Sequence, residues 1–396
     1  MKNLIIVSLL LWTFSYTASA IIPNEKDPNT ELDTLKLIKK GGYPAEAHVV
    51  VTEDGYLLEI HRIPGKPGAP TVYLQHGIFG TSADWIINSA QGNENCLAFL
   101  LADAGYDVWL GNVRGNTYSR GHVSLSTDDI MYWNFSWHEV GVYDLPTMIN
   151  YIVNTTGNPL KAYVGYSMGT TSFYVMASER PEIGNLMQSS YSLAPVAYVK
   201  HMKGLLALLA PLANDLKLLV YVLGPGEFLQ QNLAVRLLAK YFCYANNIEE
   251  KLCINIVFTL TGFDNPQFNY SMMPVISTHI PAGASSKMLI HYGQEIESGY
   301  FRQYDYGEAE NMLKYNSLEP PSYDVSKLKV PHTIFCASND WLSQLVDVDK
   351  LISKLSIKPT VYKVPYERFN HLDYLFAKNV SKLVYEPLIR MINESN

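Results

Sequence analysis

The chain has 396 residues, 48% of them hydrophobic and 17% charged, enough to bury a large core as one big α/β domain with an insertion or as two domains. A formal net charge of −7 supplies no basic field to recruit phosphates, which excludes nucleic-acid binding. There is no internal repeat or low-complexity tract, and the 28 tyrosines are scattered in the manner of packing residues.

At the start of the chain, Met1-Lys2-Asn3 places a positive charge before the apolar run Leu4 to Trp12. Ala18-Ser19-Ala20 then offers a small-residue cleavage site. Residues 1–20 read as a secretory signal peptide, with the mature chain expected from Ile21. The apolar run is too short to span a bilayer of about 30 Å, and no transmembrane segment is expected elsewhere. Secretion makes disulfides possible: Cys243 and Cys253 are near neighbours and could close a small loop. Cys96 and Cys336 lie in apolar surroundings, where a free cysteine serves as a small core residue. Glycosylation sequons stand at Asn134, Asn154, Asn269, Asn379 and Asn393, with Phe135 and Trp137 giving Asn134 a buried-looking neighbourhood.

Ala47 to Val51 and Tyr56 to Arg62 read as strands joined by the turn Glu53-Asp54-Gly55. Thr71 to Leu74 is a short strand leading into His76-Gly77-Ile78. A helix over Asn95 to Ala104, a strand over Tyr106 to Leu110 and a helix over Gly141 to Val153 follow. Ala162 to Val164 is a buried strand that meets Gly165-Tyr166-Ser167-Met168-Gly169 and then a helical stretch, Thr170 to Ser178. Strand, G-x-S-x-G, helix is the arrangement of a nucleophile elbow, whose tight turn pushes Ser167 Oγ into a cleft. Met187 to Leu193 completes residues 21–198 as the first part of an α/β core. Alternating strands and helices predict a parallel sheet covered on both faces, with chemistry at the carboxyl ends of its strands.

From about Val199 to Pro321 the alternation is lost, and residues 199–321 read as an inserted subdomain. Leu205 to Leu223 is apolar but interrupted by Pro211, Asn214, Asp215 and Lys217. Leu229, Leu233, Leu237 and Tyr241 recur every four residues as an amphipathic helix. These runs form either an ordinary helical core or a greasy cap over the Ser167 cleft. Residues 322–396 resume the α/β pattern. His332 to Ala337 is a strand before Asn339-Asp340, Val346 to Leu355 a helix, and Thr360 to Val364 a strand before Asn370-His371, ahead of a terminal helix.

A serine hydroxyl needs a positioned base, and a histidine suits because its ordinary pKa lies near 6.5. Of the ten histidines, His371 alone sits in a loop after the last strand, behind both a nucleophile and an acidic loop residue. Asp340 holds the matching loop one strand earlier, giving the order Ser167, Asp340, His371 of an α/β hydrolase. Asp347, Asp349 and Asp373 are rivals for the acid role. The backbone amides of Met168 and of the His76-Gly77-Ile78 loop are candidates for the oxyanion hole. No HExxH or comparable cluster supports a metal reading.

The chain resembles the acid lipases of the gastric and lysosomal type, through stretches spread over nearly all of it. Among them are Gly42-Tyr43-Pro44, Leu74-Gln75-His76-Gly77, Arg114-Gly115-Asn116, Leu193-Ala194-Pro195, Gly262-Phe263-Asp264, Asn339-Asp340 and Asn370-His371-Leu372-Asp373. The resemblance implies an α/β-hydrolase fold with an inserted cap and mobile lid. It places the triad on Ser167, Asp340 and His371, with oxyanion amides from Ile78 and Met168. It implies neutral lipid, triacylglycerol or steryl ester, met at an oil–water or membrane interface by a secreted or lysosomal monomer. No metal or organic cofactor is implied. The family's cysteine pair is matched by Cys243 and Cys253. One departure stands out: the family elbow is usually Gly-His-Ser-Gln-Gly, whereas Tyr166 and Met168 flank the serine here. An esterase for small soluble esters and a catalytically silent lipid-binding protein are the alternatives. The second would be expected to lack a triad member, and none is lost.

Overall fold

The computed structural model describes residues 32–210, 226–228, 258, 259 and 261–395. Residues 1–20, Cys243, Cys253 and most of the two apolar runs between Leu205 and Tyr241 lie outside the described residues. The sheet is built from β1 (Glu46–Val51), β2 (Tyr56–Ile63), β3 (Thr71–Gln75), β4 (Asp107–Leu110), β5 (Gly121–His122), β6 (Ala162–Tyr166), β7 (Ser190–Leu193), β10 (His332–Cys336) and β11 (Thr360–Lys363). Their order is β1-β2-β4-β3-β6-β7-β10-β11, with β5 on the flank of β2. From β4 to β11 every neighbouring pair is parallel, while β1, β2 and β4 pair antiparallel. A separate two-stranded ladder joins β8 (Glu227–Phe228) to β9 (Ala284–Ser285).

The central strands are buried on both faces because their side chains alternate between two apolar cores. Val72, Leu74, Val108, Leu110, Ala162 and Val164 face one core, shared with helix α1 (Leu97–Asp103) and the terminal helix. Tyr73, Trp109 and Tyr163 face the other, under helices α2 (Leu145–Thr156) and α3 (Met168–Glu179). At about 25 cal/mol per Å² of apolar surface, each such side chain contributes about 2 kcal/mol of transfer free energy.

Several boundaries differ from the pattern in the sequence. Met187 reaches only an isolated bridge to Leu160, and β7 begins at Ser190. Cys96 is the extended residue ahead of α1 and not part of a helix; it and Cys336 are buried free thiols. The stretch from Val140 to Asp144 forms a π turn leading into α2, whose first turn carries Pro146. Asn134 is exposed although Trp133, Phe135 and Trp137 are buried. Asn154, Asn379 and Asn393 are exposed, and Asn269 is half-buried.

Candidate active site

Ser167 sits between β6 and α3 with φ +51° and ψ −119°, a conformation that a non-glycine residue holds only under constraint. Its amide donates to Leu193 O at 3.1 Å, tying the turn to β7. The close approach explains Gly169: a β-carbon there would lie 2.5 Å from Gln75 O and 2.9 Å from His76 O. Any side chain would push α3 off the end of β3 and move the serine.

His371 and Asp340 come from the loops after β11 and β10, at the same edge of the sheet. His371 Nε2 lies 2.8 Å from Ser167 Oγ, and its Nδ1 lies 2.9 and 3.0 Å from the two Asp340 oxygens. Nδ1–H therefore donates to the carboxylate, and the Nε2 lone pair faces the serine hydroxyl. Asp340 Oδ1 also accepts the amides of Leu342 (2.9 Å) and Ser343 (2.8 Å), which fixes the carboxylate. Its rivals point elsewhere. Asp347 pairs with His201 at 2.8 Å, Asp349 is exposed, and Asp373 accepts the Asn370 amide at 2.7 Å. All three linked residues are nearly closed to solvent, Ser167 being 6% exposed. The arrangement can pass a proton from Oγ to Nε2 and hold the resulting imidazolium.

The two expected oxyanion residues come from the start of α3 and from the loop after β3. Met168 is the first residue of α3, where helix amides lack intrahelical acceptors and the dipole favours negative charge. Ile78 lies in the loop after β3, next to Gly77, whose backbone packs so tightly on the serine that a β-carbon would meet Ser167 Cβ at 3.0 Å. Phe79, the next residue, has φ +62°, a second constrained position in this loop. The loop is held by His76, whose Nδ1–H donates to Gly77 O at 2.7 Å. Its Nε2 accepts Asn116 Nδ2 at 3.2 Å and the Val113 amide at 3.3 Å. Burial pushes the His76 pKa down to about 4, against the backbone bond to Gly77, so the ring is neutral in mild acid. Arg114 anchors the Val113–Asn116 loop, donating from Nε to Asp144 at 2.7 Å and from its amide at 3.0 Å.

Three features of the site were not read in the sequence. Tyr166 is one: its hydroxyl donates to His371 O at 2.9 Å, bracing the loop from within the elbow itself. Another is His76, legible only as part of the oxyanion loop. The third is the buried pair Asp264 and Asp373, of which the sequence offers Asp373 only as a rival acid behind the histidine. Tyr166 is visible as a departure from the usual elbow, and Asp264 closes the stretch Gly262-Phe263-Asp264, but neither pattern names a partner.

A nucleophile elbow at the carboxyl edge of a doubly covered parallel sheet, with acid and histidine on successive later loops, defines an α/β hydrolase. A family model described as the alpha/beta hydrolase fold matches residues 70–377, and one described as a partial alpha/beta-hydrolase lipase region matches residues 34–89. The chain is 38% identical to gastric triacylglycerol lipase of Bos taurus, covering 93% of each. It is 35% identical to human lysosomal acid lipase/cholesteryl ester hydrolase over 98% of each, and 40% identical to Lipase 3 of Drosophila melanogaster over 91% of this chain and 92% of that one. Among solved structures, one from Sulfolobus solfataricus matches with TM-score 0.56 at 14% identity, over 89% of this chain and 94% of that one. An esterase from Thermogutta terrifontis matches with TM-score 0.50 at 12% identity, over 88% and 99%. The chain belongs to the acid lipase family within the α/β hydrolases, and is a carboxylic ester hydrolase.

Proposed function

We propose that Ser167, His371 and Asp340 are the catalytic triad of a lipase for the acyl esters of neutral lipids, triacylglycerols or steryl esters. His371 Nε2 takes the Oγ proton as Ser167 attacks the ester carbonyl, forming a new C–O bond and an oxyanion. The Met168 and Ile78 amides receive that oxyanion. The imidazolium then protonates the leaving alkoxide, a glyceride or sterol, as its C–O bond breaks and the acyl-enzyme remains. Water enters, gives a proton to Nε2 and attacks the acyl carbon; the fatty acid leaves and the proton returns to Oγ. Asp340 holds the tautomer and the imidazolium charge throughout. The observation that carries this reading is the unbroken hydrogen-bonded path from Ser167 Oγ through His371 to Asp340. The names of the gastric and lysosomal relatives support the substrate class.

Residues 199–321 form a cap over this cleft in the same proposal, with the core in 21–198 and 322–396. Its described parts meet the site: Ala282 N donates to Phe79 O at 2.8 Å, and His371 N to Thr261 O at 3.3 Å. The protein works as a secreted or lysosomal glycosylated monomer, with Cys243 and Cys253 paired. Among the described residues no helix is long and apolar enough to cross a membrane. Purified protein assayed on emulsified long-chain triacylglycerol, cholesteryl ester and a soluble short-chain ester tests the reading. Turnover of either emulsified lipid is expected; hydrolysis of the soluble ester alone would replace the lipase reading by a small-ester esterase.

A further inference from the structure

Two buried aspartates lie on the segments that hold the histidine loop. Asp264 and Asp373 are 0% and 1% exposed. Asp373 Oδ2 accepts the Asn370 amide at 2.7 Å, and Asp264 Oδ1 accepts the Tyr366 hydroxyl at 3.2 Å. Among the described residues the remaining oxygens, Asp373 Oδ1 and Asp264 Oδ2, meet no N–H or hydroxyl donor. The two residues lie on adjoining segments, 261–264 and 370–373, tied by Asn370 Nδ2 to Gly262 O at 2.9 Å, and each carboxyl acts on the other closely enough for a hydrogen bond between them. Two carboxylates have no hydrogen to share, so such a bond requires a proton on one of them. Asp264 is the better-solvated anion of the pair, with the Tyr366 hydroxyl, the Gln267 amide and the Arg368 charge around it. Asp373 has one amide and lies near the negative Asp340. The proton therefore belongs on Asp373.

We propose that Asp373 and Asp264 form a one-proton acid–carboxylate clamp that positions His371, with Asp373 Oδ1–H donating to Asp264 Oδ2, and that losing this proton releases the loop at alkaline pH. The inference rests on His371 being the base.

The clamp reaches the histidine through main chain. Asn370 gives its amide to Asp373 and its Nδ2 to Gly262 O at 2.9 Å, while His371 N donates to Thr261 O at 3.3 Å. Residues 261–264 thus grip the histidine from one side, and Tyr166 grips its carbonyl from the other. Deprotonation would leave two buried negative charges in contact, and like charges this close cannot both persist without moving apart. Burial raises both carboxyls, Asp373 the more, with the charges of Asp264 and Asp340 adding to it. Among the described residues, the other ionisable groups that act on the pair are Tyr366, Arg368, Asp340, Tyr166 and Tyr374. The three tyrosines are raised by burial and stay neutral, while Arg368 favours the charged form of Asp264.

Asp373→Asn places a permanent donor where the shared proton sits, and Asp264→Asn does so from the other side. Profiles of kcat and KM against pH, on a soluble short-chain ester, read the consequence. The clamp predicts that the alkaline limb of kcat moves up by about one pH unit or more in either variant, with KM little changed. Profiles of folded variants that superimpose on the wild type would overturn it. Should neither variant fold, the infrared spectrum of the wild type with and without Asp264→Ala still decides. Because Asp84 and Glu295 are also carboxyls raised by burial, the readout is the difference spectrum: a loss of carboxylic-acid carbonyl intensity at neutral pH on Asp264→Ala supports the clamp, and a difference spectrum without that loss contradicts it. Labelling of Ser167 by a phosphonate is independent of both readouts. Labelled serine with unshifted profiles sinks the clamp alone, and unlabelled serine sinks the catalytic reading instead.

Discussion

Ser167, Tyr166 and Asp340 show how single residues set the geometry. The Tyr166 ring is buried and its hydroxyl donates to the His371 carbonyl, so the elbow braces its own base. Tyr166→Phe is expected to cost about 1–2 kcal/mol of stability by leaving that carbonyl without its donor, and to lower kcat while leaving KM nearly unchanged. Denaturant midpoints and initial rates check both; an unchanged kcat would assign Tyr166 to packing alone. Asp340→Asn should cost on the order of 10⁴ in kcat by admitting the wrong tautomer, as in other triads. A near-normal rate would move the acid role to another carboxylate. The sequence narrowed that role to Asp340 with three rivals, and only coordinates separate them. Asp347 is claimed by His201 and Asp373 by Asp264, contacts between segments far apart in the chain. The Tyr166 contact was illegible for the same reason, since its partner is a backbone carbonyl 205 residues away.

The elements that carry the site were mostly legible because their signals are local. The apolar strands β3, β6 and β10 are buried along nearly their whole length, and the glycines of the elbow stand where backbones touch. Element ends were less legible. Met187 and Cys96 are apolar enough to extend a strand or helix pattern, yet tertiary pairing stops β7 at Ser190 and keeps Cys96 extended. The contact between α3 and the end of β3 makes a direct prediction. Gly169→Ala forces a methyl group against backbone oxygens that cannot swing away, and should cost about 1–3 kcal/mol or more, read as a lower urea midpoint. Activity should fall with it, because Ser167 moves with α3. A stable, fully active Gly169→Ala protein would show that the elbow has slack.

Across the whole molecule, buried ionisable groups oppose one another in acid. His76, His138, His291 and His332 are neutral and lowered by burial, to about 4 for His76 and about 3 for His332. Their contribution is complete above pH 6.5 and is lost as pH falls toward those folded values, because unfolding lets them charge. Asp84, raised by burial to about 7, together with Glu295 and Asp373, does the reverse. These acids stabilise fully below their ordinary values of 3.8 for aspartate and 4.5 for glutamate, and the contribution is lost as pH rises through their folded values. The two sets offset each other between about pH 4 and 6.5, and only the acids still change above it. Tm should therefore vary little over that acid range and decline as pH rises through about 7; a Tm that climbs steadily from pH 4 to 8 would contradict the assignment. The resemblance to acid lipases was legible in motifs along the chain, but this balance was not, because burial is invisible in sequence. The central claim, that Ser167 is the acylated nucleophile of a lipase, is tested most directly by a long-chain alkyl phosphonate. Intact mass and peptide mapping should show one adduct per chain on Ser167, with hydrolysis of emulsified triacylglycerol or cholesteryl ester lost in proportion. Adduct on another residue, or lipid hydrolysis that survives complete modification of Ser167, would contradict it.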